Sequence, residues 1–173
     1  MAAILGADPG ELKIICNQKG IVIPANLNAP GQVVISGEID AVTNAIDTAK
    51  KMGIRRALPL NVSGAFHSPL MEPARLPLLE ALNSVNFNDA KIPVYQNVCA
   101  KPVKNSDKLK SNIIKQLESP VHWAETISNM NQDGFTSFLE VGPGKVLQGL
   151  NKRILTEHHS SSIGTKEQVE LYV

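Results

Sequence analysis

Residues 1–61 alternate short apolar runs with amphipathic stretches in the order strand, helix, strand, strand, helix, strand. In the second helical stretch, apolar residues recur at steps of three and four: Ile39, Val42, Ile46 and Ala49. This spacing predicts a helix with one apolar face. Two such helices on one face of a four-stranded antiparallel sheet would bury both apolar faces. The order therefore predicts a ferredoxin-like βαββαβ subdomain over residues 1–61.

Local signals mark the ends of elements within this subdomain. Asp8 is placed to cap the first helix, with Pro9 at the first helical position and Glu11 at the third. The run Asn28-Ala29-Pro30-Gly31 is rich in turn-forming residues and separates two apolar stretches, at residues 21–27 and 32–36. We therefore expect a hairpin here.

Residues 62–155 change to longer helices broken by two strands, which makes the chain α/β (α+β) in class. The second of these strands, residues 135–141, is almost continuously apolar, as is typical of a strand covered on both faces. Ser106 is predicted to cap the helix between the two strands. Residues 156–173 are polar and are predicted to be a disordered or loosely attached tail.

Two prolines complicate the helix predicted after residue 75. Proline inside a helix removes a backbone hydrogen bond and costs about 3 kcal/mol. With Pro73 and Pro77 in the segment, the helix either begins near Pro77 or is kinked there.

Composition excludes several classes of protein. A formal net charge of +1 and 4% aromatic residues provide neither the basic stripe nor the stacking surface of a nucleic-acid-binding protein. No apolar run approaches the roughly 20 residues that cross a bilayer, so no membrane partner and a cytoplasmic location are predicted. Cys16 and Cys99 show no metal-ligand or disulfide spacing, and Cys16 is predicted to be a small core residue. No metal site is predicted.

The turn Gly142-Pro143-Gly144-Lys145 follows a predicted strand and precedes a predicted helix. A glycine-rich turn in this place can hold a phosphate group at the helix N-terminus. The turn lacks the full Gly-x-x-x-x-Gly-Lys-Ser/Thr pattern, however. A tight reversal of the chain is therefore the favoured interpretation.

His67 carries the clearest chemical signal. It lies between small, turn-prone residues and a proline-containing helical start, over residues 62–71. Imidazole is the side chain best suited to take up and return a proton near neutral pH. The sequence contains no Gly-x-Ser-x-Gly motif that would present a serine to this base. The alternative is a buried, hydrogen-bonded histidine in the core.

Four blocks in order along the chain decide between these interpretations: residues 26–37, 64–73, 115–121 and 140–147. Together they closely resemble the malonyl-CoA:acyl-carrier-protein transacylase family. The resemblance runs from Met1 to about Ile154 and corresponds to roughly the second half of that enzyme. It implies that residues 62–155 form the C-terminal part of an α/β-hydrolase-like acyltransferase core.

In that family a serine in a Gly-His-Ser-x-Gly-Glu turn takes malonyl from coenzyme A and passes it to the thiol of acyl carrier protein. By resemblance His67 is the base, and Gln116 is the residue whose carbonyl oxygen accepts from the second ring nitrogen. Phe66 resembles the aromatic residue that narrows the pocket of malonyl-selective members. Asn26 and Asn28 match the strand edge facing the acyl group. Packing for Phe66, and a turn role for the two asparagines, are the alternatives.

The resemblance also implies malonyl-CoA as substrate, acyl carrier protein as partner, and no cofactor. The departures are large, because the serine turn, a Gly-Gln-Gly segment and the helix with the malonyl-binding arginine are not found in the sequence. Ser63 and Ser68 are too close to His67 in sequence to be good nucleophile candidates. We therefore expect the isolated chain to be inactive.

Three hypotheses fit these departures. The chain is a fragment of a complete transacylase, which we favour, or one half of a split enzyme that pairs with the missing N-terminal half. The third is a non-catalytic module that binds acyl carrier protein.

Overall fold

A four-stranded antiparallel sheet with strand order β2-β3-β1-β4 forms the first part of the chain in the computed structural model, which describes residues 1–172. Its elements are β1 (Ala2–Leu5), α1 (Pro9–Ile15), β2 (Val22–Ala29), β3 (Gln32–Gly37), α2 (Ile39–Lys51) and β4 (Arg56–Pro59). In the centre, β1 pairs with β3 on one side and β4 on the other. The predicted ferredoxin-like βαββαβ subdomain is confirmed.

The helical periodicity explains how this subdomain buries its core. Residues of α2 at helical spacing are buried against the sheet: Ala41, Val42, Ala45, Ile46 and Ala49. Ile39 belonged to the predicted stripe but is 84% exposed, because it is the first residue of the helix. Ile4 and Ile35 are fully buried from the sheet side. The apolar core therefore lies between α2 and the sheet.

Capping at α1 follows the prediction. The Asp8 carboxylate accepts from the Glu11 amide at 2.8 Å, and the Glu11 carboxylate accepts from the Asp8 amide at 2.9 Å. This reciprocal arrangement gives hydrogen-bond acceptors to two amides at the start of the helix that have no partner within it. Cys16 ends α1 and packs against the core, where burial raises the pKa of its thiol to about 11.

The proline-rich segment after His67 divides into two helices. Residues Pro69–Ala74 form a 3-10 helix that runs directly into α3 (Arg75–Asn83). Pro73 lies in the 3-10 helix and Pro77 in the first turn of α3, where a missing N–H costs no helical hydrogen bond. The helix therefore begins just before Pro77, as the first of the two predicted alternatives has it.

The remaining elements follow in order. They are β5 (Val94–Gln96), β6 (Lys101–Val103), α4 (Ser106–Gln116), α5 (Trp123–Gln132), β7 (Ser137–Val141), α6 (Val146–Ile154), β8 (His159–Ile163) and α7 (Lys166–Tyr172). The predicted Ser106 cap is wrong: Asn105 caps α4, its side chain accepting from the Lys108 amide at 3.0 Å. The Ser106 amide instead donates to Asp89 at 2.7 Å. None of the helices within residues 1–172 is long and apolar enough to span a membrane.

The prediction of a disordered tail is also wrong. Strand β8 pairs in parallel with β7, from Ser137 opposite His159 to Val141 opposite Ile163. The polar segment of β8 is ordered here because its backbone groups form hydrogen bonds with β7, and such bonds do not require apolar side chains. The chain then passes so close to Gly142 that a Cβ on Gly164 would lie 2.4 Å from the Gly142 carbonyl oxygen. Val173 lies outside the described residues.

The two parts of the chain are joined at the edge strand β2. The Leu27 amide donates to the Val121 carbonyl and the Val121 amide to the Ala25 carbonyl, both at 2.8 Å. Arg153 of α6 donates to the Gln32 side chain at the hairpin, also at 2.8 Å. The Val121 contacts hold the edge of the first sheet against the connection between α4 and α5, and the Arg153 contact ties the hairpin to α6.

Replacing the buried Ile35 by alanine should lower the free energy of unfolding by about 2–5 kcal/mol, since it removes apolar contacts and leaves a cavity. Ile39→Ala, at an exposed position, is the matched control and should change it by no more than about 0.5 kcal/mol. Urea unfolding followed by circular dichroism measures both. Equal losses in the two variants would contradict the assignment of the core.

Tyr95 of β5 donates to the Asp133 carboxylate at the end of α5, and this raises the pKa of Tyr95 to about 12. The neutral phenol is therefore favoured in the folded state, so the stabilisation is complete below pH ~10 and is lost as the pH rises towards 12. In a Tyr172→Phe background, phenolate absorbance should report this ionisation alone. Asp133→Asn should move the pKa back towards 10, and an unchanged titration would contradict the contact.

Candidate active site

His67 contacts the main-chain carbonyl of Gln116. The distance from its ring nitrogen Nδ1 to this carbonyl oxygen is 2.9 Å. A carbonyl oxygen can only accept, so Nδ1 must carry the hydrogen. In the neutral ring Nε2 then has a free lone pair, which is the form that a general base requires.

The loop between β4 and the 3-10 helix, residues 60–68, holds His67 in an uncommon backbone conformation. Its φ is 59°, in the left-handed region that non-glycine residues rarely adopt. The fully buried Ser68 fixes the loop, because its hydroxyl donates to the Ala65 carbonyl at 2.6 Å and accepts from the Leu70 amide at 3.3 Å. Such strain persists only where neighbouring contacts determine it, and it is common at functional sites.

Gln116 presents its main chain to His67 and uses its side chain elsewhere. It is the last residue of α4, where carbonyl groups lack helical partners. Its side-chain amide donates to the carbonyls of Ser119 and Pro120, at 2.8 and 3.2 Å. The side chain thus fixes the turn after α4, while the carbonyl at the negative end of the helix faces the imidazole.

A second contact lies close by in the chain and joins the start of α3 to the residues just after α4. Arg75, the first residue of α3, donates through Nε and Nη2 to the two carboxylate oxygens of Glu118, at 2.7 and 2.6 Å. The hydrogen bond and the opposite charge raise the pKa of Arg75 and lower that of Glu118. Sequence reasoning missed this pair, since its members are 43 residues apart and no local pattern relates them.

The structure also places the other predicted site residues, Asn26, Asn28 and Phe66. Asn26 and Asn28 lie within β2, so the alternative that they are turn residues is wrong. Asn26 bridges Val121, five residues after Gln116, which brings this strand edge to the α4–α5 connection. Phe66 is 38% exposed, and its ring lies over Gly64.

The alternative of a core histidine does not fit, since His67 is only partly buried and its polar contact is to a helix end. A cleft of about 280 Å³ has a mixed polar and apolar lining that includes Gln116 but not His67. Its other lining residues are Tyr95, Gln96, Asn97, Val98, Asn112 and Ile113. A second cavity of about 310 Å³, between α5, β7 and α6, is mainly apolar and does not include His67 or Gln116.

The glycine-rich turn before α6 is a chain reversal. Gly142 and Gly144 have φ values of 135° and 97°, which glycine adopts without strain. The Glu140 carboxylate accepts from the first-turn amides of Leu147 and Gln148, at 3.2 and 3.0 Å. A carboxylate therefore occupies the amides that a phosphate would use. In the described part of the chain, no three His, Cys, Asp or Glu side chains are grouped to hold a metal ion.

The profile of the acyl transferase domain family matches residues 1–169. The chain therefore belongs to this family.

The relatives it matches carry names of the same kind, malonyl transacylase or malonyltransferase. The malonyl CoA-acyl carrier protein transacylase of Bacillus subtilis (strain 168) is 42% identical over 177 residues, covering 100% of this chain and 56% of the relative. The crystal structure of an acyl carrier protein S-malonyltransferase from Vibrio cholerae has a TM-score of 0.92 at 38% identity, covering 99% of this chain and 57% of that one.

A third relative is a malonyl-transacylase, PlMCAT, in complex with its type II PKS acyl-carrier protein AntF. It has a TM-score of 0.91 at 37% identity and covers 98% of this chain and 56% of that one. The chain thus spans little more than half the length of the relatives it matches.

Replacing Gln116 by alanine should lower the free energy of unfolding by about 1–2 kcal/mol, because two partly buried carbonyls lose their donor. The His67 hydrogen bond should survive, since its acceptor is main chain. Chemical denaturation and the Nδ1–H signal of His67 in NMR spectra measure the two effects. Gln18→Ala, which removes a partly buried amide that donates to Ile15 and Thr48, is the matched control. Loss of the His67 signal in Gln116→Ala alone would contradict this geometry.

Proposed function

We propose that this chain carries the general base of malonyl transfer from coenzyme A to acyl carrier protein, and that the transfer serves fatty acid biosynthesis. His67 is the base, with Nε2 as the reacting atom. The observation that carries this proposal is the 2.9 Å contact between Nδ1 and the Gln116 carbonyl, because it fixes the tautomer in which Nε2 accepts a proton. The identity of the relatives supports the choice of substrate and partner.

The nucleophile in this proposal is a serine hydroxyl from the part of the relatives' length that this chain does not span. Ser68 does not fit the role, since its hydroxyl is fully buried and donates to the Ala65 carbonyl. Ser63 lies in the same short loop as His67, where in-line geometry is hard to reach.

The proposed reaction has two proton-transfer cycles. The serine O–H gives its proton to Nε2 as its oxygen attacks the malonyl thioester, and the imidazolium returns that proton to the departing coenzyme A thiolate. The thiol of the carrier protein then gives a proton to Nε2 and attacks the serine ester. The serine oxygen leaves and takes the proton back.

A neutral carbonyl has a different effect from the carboxylate of hydrolase triads. It orients the ring but stabilises the imidazolium less than a full negative charge would. The malonyl group brings its own carboxylate into the site, so a second fixed anion beside His67 would repel it. The Gln116 carbonyl thus suits an anionic acyl group.

Three further residues complete the proposal. Phe66 narrows the pocket against branched acyl groups, and its partial exposure leaves its ring available for this contact. Asn28 donates to the acyl group, and Asn26 lies on the same strand edge. The bridge from Asn26 to Val121 supports this, since it ties that edge to the segment after Gln116.

The proposal also includes the missing N-terminal half of the enzyme, on the same polypeptide or on a second one, as a partner that packs against this chain. The turn between β7 and α6 exposes Val141 and Val146, which are 74% and 70% exposed. Parallel sheets are normally covered on both faces, and β7 and β8 alone form a two-stranded parallel sheet. Exposed apolar side chains beside such a sheet favour a partner that covers them.

The test mixes this chain with the portion of the Bacillus subtilis relative that it does not span, and adds radiolabelled malonyl-CoA. Covalent label in the mixture, and on neither polypeptide alone, is the expected result. His67→Ala should then slow acylation by about 100-fold to 10,000-fold, the usual contribution of a positioned general base.

His159→Ala removes a histidine on β8 and serves as the control, with little effect expected. Acylation by His67→Ala at the wild-type rate would refute the role of His67. A mixture that takes up no label but still binds carrier protein would favour the non-catalytic module instead.

A further inference from the structure

Two contacts join the same pair of segments. The first segment runs from His67 through the 3-10 helix into α3, and the second is the end of α4 with the residues just after it. His67 contacts Gln116 at one point, and Arg75 contacts Glu118 at the other. Helices α3 and α4 also pack against each other, and two separated polar contacts restrict the relative orientation of the segments more than one hydrogen bond would.

The segments between the two contacts are stiff. Helical residues lead from Pro69, two residues after His67, to Arg75 without an interruption. On the other side, the amides of Leu117 and Glu118 donate to the carbonyls of Ile114 and Lys115, at 3.3 and 3.2 Å, so the chain continues to turn as far as Glu118. A displacement at Glu118 is therefore transmitted to the neighbouring Gln116 carbonyl.

The geometry of the ion pair separates it from ordinary surface pairs, which contribute little. Both carboxylate oxygens of Glu118 are engaged by the planar guanidinium, an arrangement that lysine cannot reproduce. The Glu118 side chain is 20% exposed, less than the 49% of Arg75. The carboxylate is thus the more sheltered partner and the closer one in sequence to Gln116.

We propose that Arg75 and Glu118 are positioning residues that keep the Gln116 carbonyl against Nδ1 of His67. This inference rests on the proposed function, in which Nε2 must be the unprotonated ring nitrogen. Free histidine favours the opposite tautomer, with the hydrogen on Nε2. The ion pair therefore acts on catalysis through the ring tautomer, without contact with substrate.

The test measures the tautomer of His67 by ¹⁵N NMR of the imidazole nitrogens in the full chain, assigned by comparison with His67→Ala. In the wild type the hydrogen should reside on Nδ1. In Arg75→Ala, and in the conservative Glu118→Gln, the ratio of Nδ1–H to Nε2–H should fall by about two- to fivefold, as expected for loss of one exposed ion pair.

Matched variants separate positioning from a general structural effect. Arg75→Glu combined with Glu118→Arg re-forms a bidentate pair and should bring the ratio of Nδ1–H to Nε2–H back to the wild-type value. Arg75→Lys alone keeps the charge but not the bidentate geometry, so it should retain only part of that ratio. Lys166→Ala removes the exposed pair with Glu170 in α7 and should leave His67 unchanged. Salt at about 1 M should lower the ratio in the wild type but not in Arg75→Ala.

The outcomes distinguish this inference from the proposed function. A wild-type His67 with the hydrogen on Nε2 would overturn the base geometry itself. The Nδ1–H tautomer in the wild type, unchanged in both Arg75→Ala and Glu118→Gln, would overturn only the positioning role. In the complemented enzyme, the same loss should appear in kcat with the KM for malonyl-CoA unchanged.

Discussion

The hydrogen bond from His67 Nδ1 to the Gln116 carbonyl is the interaction on which the proposed chemistry depends. It selects one of two tautomers of a neutral ring and so decides which nitrogen can accept a proton. A carbonyl at the end of a helix is well suited to this, since it has no partner within the helix. The site therefore uses a group that the fold leaves unpaired.

The surrounding structure keeps the two ends of this hydrogen bond in place. Ser68 fixes the left-handed conformation at His67, and α4 presents the Gln116 carbonyl at its last residue. The connection that follows is bound to the edge strand β2 through Val121. The ferredoxin-like subdomain thus contributes to the site through its edge strand β2. Its apolar core lies elsewhere, between α2 and the sheet.

Sequence reasoning succeeded where the determinants are local. The spacing of apolar residues in α2 and the cap at Asp8 are read from a few neighbouring positions, and the whole ferredoxin-like topology follows from their order. His67 was found in the same way, from the residues beside it. Gln116 and the two asparagines came only from the family resemblance, because nothing in their own neighbourhood indicates a histidine partner.

Two features were missed because they depend on contacts distant in sequence. Strand β8 is polar and is ordered by pairing with β7, so composition alone predicted disorder. The capping error is local instead: Asn105 and Ser106 are adjacent and both can cap a helix, and Asn105 does so by accepting from the Lys108 amide. The Arg75–Glu118 pair has no sequence signal at all. The predicted domain boundaries and cytoplasmic location remain predictions.

Chemical rescue can show whether the His67 ring is the base. In the complemented enzyme, His67→Gly removes the ring and leaves space for a small base, so free imidazole should restore malonyl transfer in proportion to its concentration and to its unprotonated fraction. We expect the recovered activity to follow the concentration of neutral imidazole. A His67→Gly enzyme that folds, binds malonyl-CoA and shows no response to imidazole would contradict it.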